Sequence, residues 1–101
     1  MLIVRWQAPH LPNSEQLRLV FEQEGLEATT EEFTAGTKIG EHRHPFTEVR
    51  VLEAGEMFFN VAGNQFLMRA GDRLEIPANT KHSFQCREGD TCRSVIAYRV
   101  F

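Results

Sequence analysis

Hydrophobic residues show two different spacings along the chain, and the first of them is typical of a helix. Within residues 14–24, Leu17, Val20 and Phe21 recur at intervals of three and four residues, which places them on one helical face. No other segment shows this spacing as clearly. We therefore predict one helix over residues 14–24 that packs Leu17, Val20 and Phe21 against the rest of the fold.

Signals for the start and the end of a helix flank this segment. Asn13 stands at the N-cap position, and Gln16 follows three residues later, as in a capping box. Gly25 suits the left-handed residue that ends a helix. Ahead of the helix, the apolar run Leu2–Trp6 predicts a short strand that the following prolines end.

From Leu26 onward the pattern changes to short runs of β-branched, aromatic and aliphatic residues, separated by turn-forming residues. This spacing is typical of an antiparallel all-β sandwich or barrel. We expect hairpin tips at Asn60–Gly63 and at Glu88–Asp90. The predicted strands span residues 26–34, 38–44, 47–53, 56–61, 64–69, 73–76, 81–86 and 92–100.

Because successive side chains of a strand point to opposite faces, these strands predict which residues line the barrel interior. We take Glu48 and His82 to face inward, and the charged Arg93 and Arg99 to face solvent. The interior then also receives Arg50, Leu52, Met57, Phe59, Val61, Phe66, Met68, Phe84, Cys86, Cys92, Ser94, Ile96, Tyr98 and Val100. The resulting cavity is mostly apolar with a few polar groups, as is usual for a small-molecule site.

The length of 101 residues is that of one domain, with the barrel over residues 26–100 and the short strand and helix in residues 1–25. A core of this size is limited, so we expect a homodimer formed through a sheet edge or an apolar face. The net charge of −3 argues against nucleic acid as a partner, because phosphate binding needs a basic face.

No apolar run approaches the roughly 20 residues of a membrane-spanning helix, and the first residues do not have the charge order of a signal peptide. We therefore expect a cytoplasmic protein without a membrane partner. The two cysteines, Cys86 and Cys92, do not form a zinc-type pair. In a reducing cytosol we expect free thiols, and in an oxidising setting a disulfide between them is possible.

Four residues suggest metal chemistry. His42 and His44 lie two residues apart, so on a strand both side chains point to the same face. Glu48 follows shortly after Pro45, which requires an extended conformation at His44. His82 starts another predicted strand. Three imidazoles and one carboxylate suit a divalent metal ion, whereas each of these residues alone would more often serve structure or face solvent.

These residues belong to two segments that resemble the two sequence motifs of the cupin superfamily. The first motif is matched completely from Gly36 to Gly55, which reads GTKIGEHRHPFTEVRVLEAG. The second runs from Gly71 to Cys86 and reads GDRLEIPANTKHSFQC. Asn79 replaces a motif glycine there and tolerates the left-handed conformation that the turn needs, while Cys86 replaces a motif asparagine.

The resemblance covers residues 26–100 and implies an all-β double-sheet jelly roll, also called a double-stranded β-helix, with one short N-terminal helix added. It also implies that His42, His44, Glu48 and His82 hold one divalent metal ion at the mouth of the barrel. Iron, manganese, nickel and zinc all suit such ligands, and the sequence does not choose among them. Cupins serve many activities, so this fold does not fix the function.

Two further residues of the predicted interior are candidate catalytic residues. The guanidinium of Arg50 can bind a substrate carboxylate with two hydrogen bonds, or it can pair with an inward-facing acid as part of the structure. Tyr98 can donate a hydrogen bond to a ligand, or it can pack its ring and use a local partner.

Three interpretations of the function stay open. The favoured one is a metal-dependent enzyme, oxygenase-like or isomerase-like, that acts on a small organic molecule beside the metal. The second is a non-catalytic module that binds or senses a small molecule. The third is a cupin whose metal ion only stabilises the barrel.

Overall fold

The computed structural model describes residues 1–100 and places nearly all of them in or between short, regular elements. The single helix among these residues, α1, spans Ser14–Gln23. The same residues form nine strands, which are β1 (Leu2–Val4), β2 (Thr29–Phe33), β3 (Lys38–His42), β4 (Thr47–Ala54), β5 (Glu56–Val61), β6 (Asn64–Arg69), β7 (Arg73–Ile76), β8 (His82–Cys86) and β9 (Cys92–Arg99).

The strands form two antiparallel sheets whose neighbours are mostly far apart in sequence. One sheet has the order β1-β7-β4-β9-β2, and the other has the order β3-β8-β5-β6. The chain therefore passes repeatedly from one sheet to the other, which is the arrangement of a jelly roll. The predicted fold class is confirmed, and most predicted strand ends lie within one or two residues of the observed ones. The exception is β2, which begins at Thr29 and not at residue 26 as predicted.

The space between the sheets holds the main hydrophobic core. Its members come from alternating positions of strands in both sheets, as the period of two along each strand requires. They are Leu52, Met57, Phe59, Val61, Met68, Leu74, Ile76, Phe84, Cys86 and Cys92, with the partly buried Ile3, Phe33, Ile39 and Phe66 packed against them.

A second core lies between α1 and the outer face of the larger sheet. It contains Leu17, Phe21, Leu26, Val49, Val51, Val95 and Ala97. The helix thus covers β4 and β9, which explains why these strands are buried on both faces near their middle. Leu17 and Phe21 pack as predicted, whereas Val20 is 46% exposed, because it lies at the edge of the helical face.

Both ends of the helix follow the sequence signals. The side chain of Asn13 accepts a hydrogen bond from the Gln16 amide, and the Gln16 side chain accepts one from the Asn13 amide. Gly25 follows with a φ of +76°. The capping box predicted from the sequence is therefore present.

Gly55 ends the first motif and lets two segments approach closely. It has a φ of +83°, and a Cβ atom there would lie 2.6 Å from the carbonyl oxygen of Thr91. Such a contact is far inside van der Waals distance, so the turn between β4 and β5 needs a glycine at this position.

The segment Glu88–Asp90 differs from its predicted role. It connects β8 in the smaller sheet to β9 in the larger sheet, so it is a crossover between sheets and not the tip of a hairpin. The tip predicted at Asn60–Gly63 does join a hairpin, since β5 pairs with β6 up to Val61 and Asn64.

The two cysteines are not free thiols, which corrects the expectation drawn from a reducing compartment. Cys86 and Cys92 form a disulfide, with their Cα atoms 5.9 Å apart. The crossover brings the end of β8 against the start of β9, and the inward orientation of both residues points their sulfur atoms at each other. The disulfide therefore links the two sheets.

The end of the last predicted strand also differs from expectation. Val100 lies beyond β9 and is 80% exposed, and Tyr98 is 40% exposed, so neither is an interior residue. Among residues 1–100, no helix has the length and apolar character needed to cross a membrane.

Candidate metal centre

Three histidines meet at one open end of the barrel. His42 is the last residue of β3 and His82 is the first residue of β8, and the two are paired across these strands. His44 lies in the connection to β4. The ring centroids of His42 and His82 are 4.2 Å apart, and one ring nitrogen from each of the three histidines lies within 4.8 Å of the others.

The position of His44 is fixed from two sides, although it lies outside a strand. Its carbonyl oxygen accepts a hydrogen bond of 2.6 Å from the backbone amide of Asn79. Its ring stacks on Phe46, with the ring centroids 5.0 Å apart and the planes 8° from parallel. Asn79 has the left-handed φ of 61° that was expected of the residue replacing the motif glycine.

Backbone carbonyl groups orient two of the imidazole rings. His42 Nδ1 lies 2.7 Å from the carbonyl oxygen of Gly40, and His82 Nδ1 lies 2.9 Å from that of Thr80. A carbonyl oxygen only accepts hydrogen bonds, so the proton of each neutral ring belongs on Nδ1. The Nε2 lone pairs of His42 and His82 are therefore left for another partner, which is a common arrangement for histidine ligands of metals.

His82 shows the clearest sign of a missing partner. The residue is 2% exposed, and its Nε2 atom is buried without a hydrogen-bond partner among the described residues. Burial lowers the pKa of His82, because the charged imidazolium is poorly solvated there. The neutral form, which is the form that can ligate a metal, is thus favoured.

Glu48 lies at the edge of this cluster. Its Oε1 atom is 3.6 Å from His44 Nε2, and its Oε2 atom accepts a hydrogen bond of 3.2 Å from Arg50 Nε. The set of donor atoms that all lie within 4.8 Å of one another comprises the three histidines, without Glu48. The carboxylate therefore connects the cluster to Arg50.

The guanidinium of Arg50 is buried and already has two acidic partners. Nε contacts Glu48, and Nη2 forms an ion pair of 2.8 Å with Glu31 Oε1. The guanidinium carbon lies 5.0 Å from the centroid of the Phe84 ring and 5.8 Å from that of Phe59. Nη1 is buried without a hydrogen-bond partner among the described residues.

Glu31 is absent from the residues predicted for the site. It lies on β2, whose sequence TTEEF contains two adjacent glutamates, so the sequence alone does not show which of them faces inward. Phe33, two residues after Glu31, packs against the main core. Because residues two apart on a strand share a face, Glu31 also lies on the inner face.

These groups line a small cavity of about 200 Å³ at the mouth of the barrel. Its walls combine acidic, basic, imidazole and aromatic side chains. The lining residues are Glu31, Phe33, Ile39, His42, His44, Glu48, Arg50, Phe84 and Tyr98. Five of the six residues predicted for the site therefore line one cavity. The sixth, His82, is buried, and its ring contacts those of His42 and His44.

Tyr98 lies at the rim of this cavity and not deep inside the barrel. Its ring centroid is 4.3 Å from that of Phe46 and 5.9 Å from that of His44. Partial burial, and then the negative charge of Glu48, raise the pKa of Tyr98. The phenol therefore keeps its proton at neutral pH and can act as a hydrogen-bond donor.

The chemistry of the donor set fits a divalent transition-metal ion. Neutral imidazole nitrogens with free lone pairs and a nearby carboxylate suit iron, manganese, nickel and zinc alike. A buried ring nitrogen normally has a hydrogen-bond partner, and His82 Nε2 has none among the described residues. A bound metal ion would supply this partner.

Comparison with known proteins agrees with this geometry. Residues 29–98, more than half of the chain, match the family model described as a cupin domain. Over 66 residues, 60% of the chain, the sequence is 35% identical to the acireductone dioxygenase of Bacillus licheniformis. The match covers 35% of that enzyme, so the chain spans about a third of the length of this curated relative.

Solved structures show the same fold. An RmlC-like cupin from Shewanella frigidimarina superposes with a TM-score of 0.62 at 26% identity, covering 73% of this chain and 67% of that one. A cupin protein from Bacteroides fragilis superposes with a TM-score of 0.64 at 20% identity, covering 72% of this chain and 64% of that one.

Proposed function

The chain belongs to the cupin family, and on this premise we propose that it binds one divalent metal ion at the histidine cluster and acts as an enzyme on a small organic molecule. The ion would be held by the Nε2 atoms of the histidines and completed by the Glu48 carboxylate. The proposed ligands are His42, His44, Glu48 and His82. The buried, unpartnered Nε2 of His82 is the observation that carries this proposal.

A divalent ion in this site would supply Lewis acidity toward an oxygen of the substrate or a place for a second reactant. The chain's own residues would do the rest. The cavity of about 200 Å³ admits only a small molecule. Phe33 and Phe84, which lie 5.3 Å apart in an edge-to-face arrangement, would keep water from its inner wall.

Arg50 and Tyr98 would position the substrate from one wall of the cavity, because they lie on the neighbouring strands β4 and β9. Nη1 of Arg50, which is buried and has no hydrogen-bond partner among the described residues, would donate to an oxygen of a bound molecule, while Nε donates to Glu48 and Nη2 pairs with Glu31. Tyr98 stands at the rim with a protonated hydroxyl and can donate a second hydrogen bond. Two fixed donors beside a metal ion orient a small oxygen-containing substrate.

An oxygen-dependent reaction is the first to test, because the relative with 35% identity is a dioxygenase. We would load the protein with Fe(II) without air and measure oxygen consumption with a panel of small hydroxyketones and enediols. The proposal predicts consumption that depends on substrate and is lost in His82→Ala. The variant His10→Ala serves as the control, because His10 is exposed and outside the cluster.

Failure to consume oxygen would not by itself exclude an isomerase, so substrate conversion is followed in parallel by NMR with Mn(II)-, Ni(II)- or Zn(II)-loaded protein. Stoichiometric metal with neither reaction on any compound of the panel would contradict an enzymatic role on this substrate class. A module that only binds its ligand would then be the better account of the site.

A further inference from the structure

We propose that Glu31 determines which charge the pocket accepts, so that the substrate group facing Arg50 is an uncharged carbonyl or hydroxyl oxygen and not a carboxylate. This inference rests on the proposed function, because it names the substrate class of the same cavity. Glu31 acts here as a specificity-determining residue. It lines the cavity from β2, on the side of Arg50.

The first reason is that the charge of Arg50 is already compensated. Its side chain is 2% exposed, and it contacts Glu48 through Nε and Glu31 through Nη2. Glu48 Oε1 also lies 3.6 Å from His44 Nε2, so its carboxylate is shared with the histidine cluster. The positive charge that remains at the Arg50 end is therefore balanced by Glu31.

The second reason is geometric. A carboxylate bound to a guanidinium with two hydrogen bonds needs two neighbouring nitrogens on one edge. Nε donates to Glu48, Nη2 faces Glu31 Oε1 at 2.8 Å in an ion pair, and Nη1 has no hydrogen-bond partner among the described residues. A substrate carboxylate would have to displace Glu31 or lie beside it as a like charge, and like charges in an interface are strongly disfavoured.

The third reason is the surroundings of Arg50. Phe84 and Phe59 cover the guanidinium at 5.0 and 5.8 Å, which keeps the local dielectric constant low. An extra negative charge at this end, beside the carboxylate of Glu31, would be costly there. A neutral oxygen, in contrast, accepts one hydrogen bond from Nη1 and leaves the charge balance unchanged.

Two matched probes test this inference. Both are small hydroxamic acids derived from fumaric acid, with the same metal-chelating end. They differ only at the other end, which the trans double bond keeps away from the chelated metal. One carries a carboxamide there and the other a carboxylate. Because the chelating end is identical, the ratio of their dissociation constants on the Zn(II)-loaded protein, measured by calorimetry, reports the charge preference of the Arg50 side.

The wild-type protein is expected to bind the carboxamide probe about fivefold or more tightly than the carboxylate probe. In Glu31→Gln the ratio is expected to shift by about tenfold or more toward the carboxylate probe, because Arg50 loses a compensating charge. Glu32→Gln is the matched control, since the adjacent Glu32 is exposed on the opposite face of β2, and its ratio should stay at the wild-type value.

The wild-type comparison needs no variant and so stands even if Glu31→Gln folds poorly. A wild-type preference for the carboxylate probe, or an unchanged ratio in folded Glu31→Gln, would overturn the inference. Metal content is measured on the same samples. Full zinc loading with the wrong ratio refutes the role of Glu31 alone, whereas a protein that takes up no metal refutes the proposed function and this inference together.

Discussion

The backbone amide of Asn79 donates a hydrogen bond to the carbonyl oxygen of His44 at 2.6 Å. This bond joins the turn after β7 to the connection after β3, three residues ahead of His82. The two motif segments, which are far apart in sequence, are thereby held together next to the histidines they supply. The left-handed backbone of Asn79, with a φ of 61°, aims its amide at His44.

Replacing Asn79 with alanine is expected to lower the free energy of unfolding by about 1 kcal/mol, because the left-handed conformation is less favourable for alanine than for asparagine. Asn79→Gly is the matched variant, and it should be as stable as the wild type, since glycine adopts this backbone without strain. Urea unfolding of the three proteins measures the difference. An alanine variant as stable as the glycine variant would show that the turn has another conformation.

The role of Glu48 is tested by Glu48→Gln, which keeps the shape of the side chain and removes its charge. We expect the affinity for Zn(II) to fall by about tenfold or more. Loss of a group that only orients a metal ligand already lowers metal affinity by about this factor, and a direct ligand should contribute at least as much. A competing chromophoric chelator measures it. Glu53→Gln is the control on the same strand, where Glu53 pairs with Arg93 near the surface.

Zinc affinity that is the same in Glu48→Gln and in wild type would remove Glu48 from the proposed ligands. Its carboxylate would then serve as the buried partner of Arg50, to which it is joined by the hydrogen bond of 3.2 Å.

The disulfide between Cys86 and Cys92 is expected to stabilise the fold by about 2 kcal/mol, because it closes a short loop of the unfolded chain and so reduces its entropy. Urea unfolding of the wild type with and without a thiol reductant measures this contribution. A variant with Cys86→Ser and Cys92→Ser should unfold at the same urea concentration in both conditions. Identical unfolding of the wild type with and without reductant would show that the thiols are free.

Stability at low pH should depend on Glu24, which follows α1 and accepts two hydrogen bonds from Arg73, at 2.6 and 2.7 Å. Hydrogen bonding to Arg73 lowers the pKa of Glu24 below its ordinary value of 4.5. A depressed carboxyl pKa contributes stability above the pKa of the unfolded chain, and this contribution is lost as the pH falls through the folded value.

Glu24→Gln is therefore expected to cost about 0.5 kcal/mol at pH 7, a small value because solvent screens this partly exposed pair. The difference from wild type should shrink as the pH is lowered below 4.5. Urea unfolding at several pH values measures it, with the exposed Glu27→Gln as control. A difference that grows on acidification would contradict the assigned pair.

The sequence predicts the sheets well, because alternation along a strand is a local pattern. Alternation along β4 and β8 places Glu48, Arg50 and His82 inside. The rings of His42 and His44 lie 4.8 Å apart, although only His42 lies on a strand. The capping box of α1 is equally local, since Asn13 satisfies an amide three residues away.

The features that the sequence does not predict depend on which strands become neighbours. The disulfide needs the crossover that brings β8 against β9, and Glu31 reaches Arg50 only because β2 pairs with β9 beside β4. Tyr98 is exposed because β9 ends at the rim of the cavity, where alternation no longer implies burial. Such contacts between distant segments follow from topology and not from residue spacing.

Metal content measured by elemental mass spectrometry on the untagged protein shows directly whether the histidine cluster binds a metal ion. The comparison includes a variant with His42→Ala and His44→Ala, and His10→Ala as the control outside the cluster. We expect close to one metal ion per chain in the wild type and the control, and none in the double variant. A wild-type protein that takes up no iron, manganese, nickel or zinc, or a double variant that keeps its metal, would contradict this expectation.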